Sequence, residues 1–224
     1  MPTSGARTTD TITTDILGGM WRPGDRLQPH KLAEEYQVST TVIREALSRM
    51  AGDGLVIVQP NRGFFIPELN LQELRDITEL RCVTEALAVR LSIERGTLEW
   101  ESELIASHHT LARTPRRDSD GRPNSDWHAA HRAFHAKLLE ASNCRPMLHL
   151  AGNLGASTEL YRRWASPSQA ASTRDVEAEH KAILDAVVGR NPELAALLLR
   201  KHYEASVAVI LKSGLVEGPL PASA

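Results

Sequence analysis

The stretch Leu27–Val56, LQPHKLAEEYQVSTTVIREALSRMAGDGLV, predicts two short helices joined by a tight turn. Pro29 opens the first helix, which we expect to end near Gln37, because proline suits a first helical position. Ser39 stands where an N-cap belongs, since its hydroxyl can accept a backbone amide hydrogen at the start of the second helix. Gly54 ends that second helix.

The sequence on either side of this stretch completes a larger domain. Thr8–Met20 has apolar residues at helical spacing and predicts a preceding helix. Two β-rich runs, Leu55–Val58 and Phe64–Ile66, flank Pro60–Gly63 and predict a hairpin. Three helices followed by a hairpin are the pattern of a winged helix-turn-helix, which we place at residues 1–67.

The third helix and the wing of this predicted domain supply candidate contacts to DNA. In a winged helix-turn-helix the start of the third helix enters the major groove, and the residues there are Ser39, Thr40, Thr41 and Arg44. Hydroxyl side chains can reach phosphates or base edges, and an arginine can bridge two acceptors of a guanine. Arg62 and Gly63 place a cation and an unhindered backbone at the wing tip. Because seven basic and seven acidic side chains give residues 1–67 a net charge of zero, composition leaves DNA binding and protein docking both open.

This domain resembles the GntR family of bacterial transcription regulators. The resemblance covers residues 8–67 and rests on the segments LAEEYQVS, IREAL and GLV in register, followed by the Arg-Gly pair of the wing. It implies that operator DNA is contacted by Ser39, Thr41, Arg44 and Gly63. Thr40 stands where the family usually has arginine and Val42 where it usually has proline, so we expect an operator that differs from the usual family half-site.

From Asn70 onward the sequence shows helical periodicity and no strand signal. Six helices are predicted, over Leu71–Arg95, Glu99–Leu111, Ser125–Ala141, Arg145–Trp164, Ser172–Val188 and Pro192–Lys212. Their predicted N-caps include Asn70, Ser125 and Asn191, and residues 114–124 predict a long loop. We therefore expect a linker at 68–72, an all-α bundle at 73–213 and a flexible tail at 214–224.

Four of the nine histidines are predicted to point into that bundle. His131 and His135 are four residues apart and project from one face of a helix, as chelating pairs do. His180 and His202 each lie on an apolar helical stripe. Buried imidazoles are costly unless they are hydrogen-bonded or metal-bound, so the pattern indicates either a divalent-metal site or satisfied core histidines. The adjacent pair His108–His109 is predicted to lie on the surface.

This second half of the chain resembles the FCD effector domain of the FadR-like GntR subfamily, over residues 70–212. The resemblance rests on RCVTEALAVRL from Arg81, on HRAFH followed by LLEASN, and on the later pair Glu179–His180. It implies that a small carboxylate effector binds beside a divalent ion, which is held by His131, His135, His180 and His202. His131 replaces the usual aspartate, which favours zinc, with nickel as the alternative, over ions that prefer oxygen ligands. The same replacement leaves open that metal binding has been weakened or lost.

Two arginines and an asparagine are the predicted effector-binding residues. Arg81 is the candidate clamp for an effector carboxylate, because a guanidinium matches that group in a planar fork. The alternative for Arg81 is a surface pair with Glu85, four residues later on the same helix. Arg162 and Asn153 are further candidates for the wall of the effector cavity.

Composition and charge limit the class of protein. The chain has 224 residues and a net charge of −2, so contact with nucleic acid must come from a local patch. We expect a cytoplasmic protein without a membrane partner, because no apolar run approaches the ~18–20 residues that span a bilayer and its two cysteines lack disulfide-like spacing. The resemblance to the FadR-like GntR subfamily implies a repressor, and the two half-sites of a palindromic operator require a homodimer. The alternatives are a metal-dependent hydrolase carrying a winged helix, and a protein-docking domain with a structural bundle.

Overall fold

The structure is a computed structural model that describes residues 4–121, 123–165 and 173–213. In chain order its elements are α1 (Ser4–Gly18), β1 (Arg26–Leu27), α2 (Pro29–Glu35), α3 (Thr40–Gly52), β2 (Ile57–Gln59), β3 (Gly63–Phe65), α4 (Leu71–Arg95), α5 (Leu98–Arg113), α6 (Ser125–Glu140), α7 (Arg145–Ala165), α8 (Val176–Val188) and α9 (Pro192–Lys212). The predicted class, a winged helix-turn-helix followed by an all-helical bundle, is confirmed. The predicted tail at 214–224 lies outside the described residues.

The first three helices pack around a hydrophobic core of their own. Ile12 and Ile16 of α1 meet Ile43 and Leu47 of α3 there, and each of these side chains is at most 1% exposed. Their spacings of four residues place one apolar stripe on each helix. Burial of these stripes holds α3 against α1 and leaves the opposite face of α3 exposed.

The wing is a three-stranded antiparallel sheet in the order β1-β3-β2, where the sequence predicted a two-stranded hairpin. Arg26 of β1 pairs with Phe65 of β3. The prediction missed β1 because a two-residue strand is too short to show alternation. Leu55 and Val56, which were predicted as strand, precede β2 and bury their side chains in the core.

The helices of the bundle begin close to their predicted positions because side-chain caps fix their starts. Asn70 caps α4 and Asn191 caps α9, as predicted. Asn124, rather than the predicted Ser125, caps α6 by accepting the amide hydrogen of Asp126 at 3.0 Å. Helix α8 begins at Val176, after an Asp175 cap, and the predicted start at residue 172 lies outside the described residues.

Helix α7 contributes to both hydrophobic cores. Ala151 packs in the core of the bundle, whereas Leu160, only 1% exposed, packs in the core of the winged helix. The backbone after α3 also comes close to this helix, because a Cβ on Gly54 would lie 2.7 Å from Ser157 Oγ. Gly54 has φ of +75°, so glycine meets both the steric and the conformational demand. The two halves of the chain therefore share α7 as a packing element.

Candidate functional site

The predicted DNA-contacting residues of α3 lie on its exposed start. Ser39 Oγ accepts the amide hydrogen of Val42 at 3.3 Å, which leaves the hydroxyl hydrogen available for a phosphate. Thr41 and Arg44 are exposed, and Thr40 is partly exposed. Their contact with DNA stays a prediction, and the fold places all four on the surface that the prediction requires.

The wing tip presents an exposed cation and an unusual backbone. The guanidinium carbon of Arg62 lies 5.5 Å from the ring centroid of Phe65. Gly63 has φ of +102°, a conformation that L side chains rarely adopt. The backbone here is therefore unhindered at the point where a wing approaches a phosphate.

Four buried histidines from three helices converge inside the bundle. Helix α6 supplies His131 and His135, α8 supplies His180 and α9 supplies His202, and each is at most 8% exposed. Their candidate ligand nitrogens all lie within 4.8 Å of one another, and the Nε2 atoms of His135 and His180 are 3.4 Å apart. Nitrogens that share one zinc ion through bonds of about 2.0–2.1 Å are separated by about 3–4 Å. The four residues therefore lie close enough to hold one ion, and we call them the histidine cluster.

Burial keeps the rings of the histidine cluster neutral. Desolvation lowers the pKa of His131, His135 and His180 well below the ordinary histidine value, and neighbouring rings and Arg162 lower it further. Desolvation likewise lowers the pKa of His202, to about 4. A neutral imidazole carries a lone pair, which is the form that binds a metal ion.

A carboxylate sets which nitrogen of His202 is free. Nδ1 of His202 donates to Glu179 at 2.7 Å, so Nε2 carries the lone pair. That Nε2 is buried and has no hydrogen-bond partner in the described part of the chain. Arg174 donates to the same carboxylate at 2.5 and 2.8 Å. Burial raises the pKa of Glu179, but the hydrogen bonds from His202 and Arg174 outweigh that effect and lower it to about 2.

A second hydrogen-bonded chain runs from His135 to Arg81. Nδ1 of His135 lies 3.3 Å from the Tyr203 hydroxyl, which donates its own hydrogen to Glu85. Glu85 accepts a hydrogen bond from Arg81 Nε at 2.7 Å. This arrangement places the Nδ1 hydrogen of His135 toward Tyr203 and leaves Nε2 to face the other histidines.

The donor set of the histidine cluster fits a divalent metal of intermediate softness. All four donors are imidazole nitrogens, and zinc and nickel favour imidazole, whereas magnesium and manganese favour oxygen ligands. His202 Nε2 is buried and has no hydrogen-bond partner among the described residues. A bound metal ion would satisfy the lone pair of this nitrogen. The residues present therefore fit the group that the sequence predicts.

A buried carboxylate beside the histidine cluster was not predicted. Glu159 of α7 is 0% exposed, lies 2.6 Å from Nδ1 of His128, and pairs with Arg162 and Arg163. Burial raises the pKa of Glu159, but these partners outweigh it and hold the pKa well below the usual carboxyl range. The spacing of Glu159 from the two arginines, three and four residues, was the signal in the sequence.

The predicted effector residues do not all lie at one place. Arg81 and Arg162 line a cavity of about 530 Å³, which also reaches His131 and His135. We call it the sensor cavity. Asn153 is not among the described residues that line it.

The sequence left two predictions open for Arg81, a clamp for an effector carboxylate and a surface pair with Glu85, and the structure agrees with part of each. Arg81 does pair with Glu85, but the pair is buried, so the expected surface location is wrong. Its guanidinium also lies 4.0 Å from the ring centroid of Tyr203. Across the cavity, a Cβ on Gly155 of α7 would come 3.9 Å from Arg81 Nη2, so the small residue leaves space beside the guanidinium. Arg81 is therefore fixed in place and still borders the cavity.

The surface prediction for His108 is wrong. His108 is buried and meets Phe134 edge-on, with ring centroids 5.4 Å apart. Leu104 and Leu111 lie four residues before and three after it, which puts His108 on the buried stripe of α5. His109 is exposed, as predicted.

Comparison with known proteins identifies both halves of the chain. Residues 76–205 match the FCD domain, and residues 5–66 match the family of bacterial regulatory proteins, gntR family. The uncharacterized HTH-type transcriptional regulator BphR of Paraburkholderia xenovorans (strain LB400) is 32% identical over 207 residues, which cover 92% of this chain and 84% of BphR. The chain belongs to the GntR family.

This GntR-family chain has further relatives of the same kind. The HTH-type transcriptional repressor GlaR of Escherichia coli (strain K12) is 28% identical over 202 residues, covering 89% of this chain and 92% of GlaR. The solved structure of E. coli McbR/YncC shares the fold, with a TM-score of 0.80 at 21% identity over 95% of this chain and 99% of that chain. BphR and GlaR are both named as transcriptional regulators, so these relatives give no support to the hydrolase alternative.

The GntR family membership makes this protein a DNA-binding transcriptional regulator with an FCD domain. GntR-family regulators bind operator DNA and typically act as dimers. FCD domains are known to bind metals, and the histidine cluster is placed to hold a metal ion. Within the described ranges, every helix is too short or too polar to cross a lipid bilayer.

Proposed function

We propose that this protein is a cytoplasmic repressor that binds a palindromic operator as a homodimer and releases it when a small carboxylate binds beside a metal ion. In this proposal residues 1–67 bind DNA, residues 68–72 are the linker and residues 73–213 form the sensor. The observation that carries it is the position of α7, which contacts the histidine cluster and also packs in the winged-helix core.

The histidine cluster is the proposed metal site, with zinc as the first candidate and nickel as the second. When bound, such an ion would attract an effector carboxylate as a ligand additional to the four imidazoles. Arg81 and Arg162 add two guanidinium groups to the sensor cavity beside that position. Carboxylates bind guanidinium groups in planar pairs, so an acid of low molecular weight is the effector that this cavity suits.

Arg162 is the residue of α7 that both lines the sensor cavity and contacts the histidine cluster. Its Nη1 lies 3.2 Å from His131 Nε2, and its Nη2 pairs with Glu159. An effector carboxylate at Arg162 competes with Glu159 for the same guanidinium. Glu159 is fully buried, and its other partners are His128 and Arg163. Because a buried carboxylate that loses a charged partner is destabilised, loss of Arg162 favours a shift of α7.

The opposite side of α7 contacts the DNA-binding half and the linker. Leu160 packs in the winged-helix core. The Tyr161 hydroxyl donates to the Asn70 carbonyl and accepts from the Asn70 amide, both at 3.2 Å. Asn70 is also the N-cap of α4. A shift of α7 therefore changes the position of the DNA-binding half relative to the sensor, and we propose that this population shift separates the two reading helices from their half-sites.

The homodimer in this proposal follows from operator symmetry and has support on α4. Two half-sites need two copies of α3. Leu80, Val83 and Leu87 of α4 are 44%, 60% and 48% exposed and recur at helical spacing. An exposed apolar row of this kind suits burial against a second copy of the chain.

The proposal is tested on protein purified without chelator. Elemental analysis should find one divalent ion per chain, and mass spectrometry of the released small molecules should find a carboxylic acid. Adding that acid should weaken operator binding in a gel-shift titration. Arg81→Lys keeps a positive charge beside Glu85 but loses the planar fork, so it should weaken the response to the acid at least tenfold while operator binding without acid is unchanged. If Arg81→Lys weakened the response to the acid and operator binding without acid equally, the role of Arg81 would be structural. If metal-free protein responded to the acid as strongly as metal-loaded protein, the metal-dependent mechanism would be refuted.

The role of α7 gives a separate prediction. Tyr161→Phe removes both hydrogen bonds to Asn70, each of which contributes about 0.5–1.5 kcal/mol. In Tyr161→Phe we expect the effector-induced change in operator affinity to be at least threefold smaller than in the wild type. Metal content and effector affinity should be unchanged. Tyr36→Phe is the matched control, because the Tyr36 hydroxyl bonds to Asp15 inside the winged helix. An unchanged effector response in Tyr161→Phe, measured by gel shift, would count against coupling through this contact.

A further inference from the structure

A cavity of about 380 Å³ lies between the winged helix, α4 and α7. Its lining includes Val56, Ile57 and Pro67 from the DNA-binding half, together with Ile77 of α4 and Leu160 of α7. We call it the interdomain cavity. None of the described residues that line it also lines the sensor cavity or belongs to the histidine cluster. The interdomain cavity is therefore a separate space on the boundary of the two halves.

The wall of the interdomain cavity is mainly apolar. Val56 and Leu160 are buried members of the winged-helix core. Ile57 and Val58 are exposed neighbours on β2, the strand at one edge of the sheet. Covering such side chains with a ligand is favourable, because it removes apolar surface from water. An apolar cavity of about 150 Å³ holds a benzene ring, so the interdomain cavity has room for a ring with a short side chain.

The polar side chains of the interdomain cavity present hydrogen-bond acceptors. Ser157 Oγ donates its hydrogen to the Asn153 carbonyl at 3.2 Å, so it offers a ligand its lone pairs. The Tyr161 hydroxyl already donates to Asn70 and accepts from it. Glu73, whose ionised carboxylate only accepts, also lines the cavity. The side chains here therefore suit a ligand that donates hydrogen bonds.

Glu73 gives the interdomain cavity a negative charge. It is the one charged side chain among the described lining residues, and within the described ranges it forms no ion pair. Burial raises the pKa of Tyr161, and the negative charge of Glu73 raises it further. The field of this carboxylate therefore reaches into the cavity, where it attracts a cation and repels an anion.

We infer that the interdomain cavity binds a small organic amine, as a second ligand besides the effector of the sensor cavity. The protonated nitrogen faces the Glu73 carboxylate, and an apolar body of about one ring covers Ile57 and Leu160. A protonated amine has donors and no acceptor, and its charge is complementary to that of Glu73. Because the lining comes from the wing, α4 and α7, this ligand contacts both halves of the chain at once.

The experiment uses full-length protein from which metal has been removed with a chelating resin, so that no amine binds through a metal ion. Isothermal titration calorimetry compares phenethylamine, which is protonated at neutral pH, with phenethyl alcohol and methylamine. We expect phenethylamine to bind at least fivefold more tightly than the alcohol, which lacks the charge, and at least tenfold more tightly than methylamine, which lacks the ring. Equal affinity of phenethylamine and either of the other two compounds overturns the inference.

A charge variant locates the nitrogen of the ligand. Glu73→Gln should weaken binding of phenethylamine at least fivefold and leave binding of phenethyl alcohol unchanged. Glu79→Gln is the matched control, because it removes the same charge from an exposed position of α4 outside the described lining. Equal weakening by both variants, or by neither, overturns the assignment to this cavity.

A second variant tests the apolar wall and keeps the inference testable if Glu73→Gln fails to fold. Ile57→Ser should weaken binding of phenethylamine and phenethyl alcohol alike, at least threefold. Met20→Ser is its control, since Met20 is exposed and apolar but is not among the described lining residues. If Ile57→Ser instead changed the oligomeric state in sedimentation and left amine binding intact, a second copy of the chain would cover this wall and the inference would be wrong. Because these measurements need no metal, no carboxylate and no operator, their failure leaves the proposed repressor mechanism standing.

Discussion

His135→Ala is expected to abolish stoichiometric metal binding. His135 is one of four nitrogen donors, and its ring is already oriented by Tyr203. Loss of an outer partner alone weakens metal affinity about 10–100-fold, so loss of a ligand should exceed that range. Elemental analysis of the purified variant should therefore find far less than one ion per chain.

The same variant should lose the stabilisation that metal gives to the wild type. Metal at about 100 times its dissociation constant stabilises a folded protein by about 2.7 kcal/mol. For a chain of this size that corresponds to an unfolding temperature higher by about 5–10 °C. The measurement is the difference between metal-loaded and metal-free samples of each protein, which removes the cost of the cavity left by the missing ring. His109→Ala, at an exposed position, is the control. Equal metal content in His135→Ala and wild type would refute the ligand assignment.

Arg44→Ala is expected to reduce operator binding to its non-specific level. Arg44 is exposed near the start of α3, where a reading helix meets base edges. A bidentate contact to a base contributes about 1–3 kcal/mol, and a dimer makes it twice, so affinity should fall by about 30-fold to 10⁴-fold. Gel-shift titrations against operator and against unrelated DNA measure this loss, which should affect the operator far more.

Arg49→Ala is the matched control for Arg44→Ala. Arg49 is exposed on the same helix but near its C-terminal end, away from the predicted base contacts. It should leave the preference for operator over unrelated DNA unchanged. If Arg44→Ala lowered affinity for both DNAs equally, Arg44 would be a phosphate contact and the base-reading role would be wrong.

The sequence predicted well those features that depend on local pattern. The bounds of α4 and α9 follow from asparagine caps and helical periodicity, and the structure has both helices as predicted. The meeting of His131 and His135 follows from a four-residue spacing on one helix. His108 was misplaced although its local pattern was informative, because adjacency shows only that two side chains diverge and not which one is buried.

The contacts that were missed join residues distant in sequence. Glu179 holds His202 across 23 residues, and Tyr203 reaches Glu85 across 118. No periodicity marks such pairs, since they depend on how whole helices pack. A further cavity, of about 400 Å³, was missed for the same reason, because its arginines Arg116, Arg162 and Arg174 come from a loop, a helix and a second loop. Charge composition over one segment does not show that these groups surround a single space.

The insertion of Leu160 into the winged-helix core limits how this protein can be divided. A fragment ending at residue 67 would lack that side chain and would leave a gap in the hydrophobic core of the winged helix. A chimera that joins this DNA-binding half to a foreign sensor must therefore bring along a helix that fills the same place. For protein engineers, the natural unit of exchange is the winged helix together with α7, even though about 80 residues separate them in the chain.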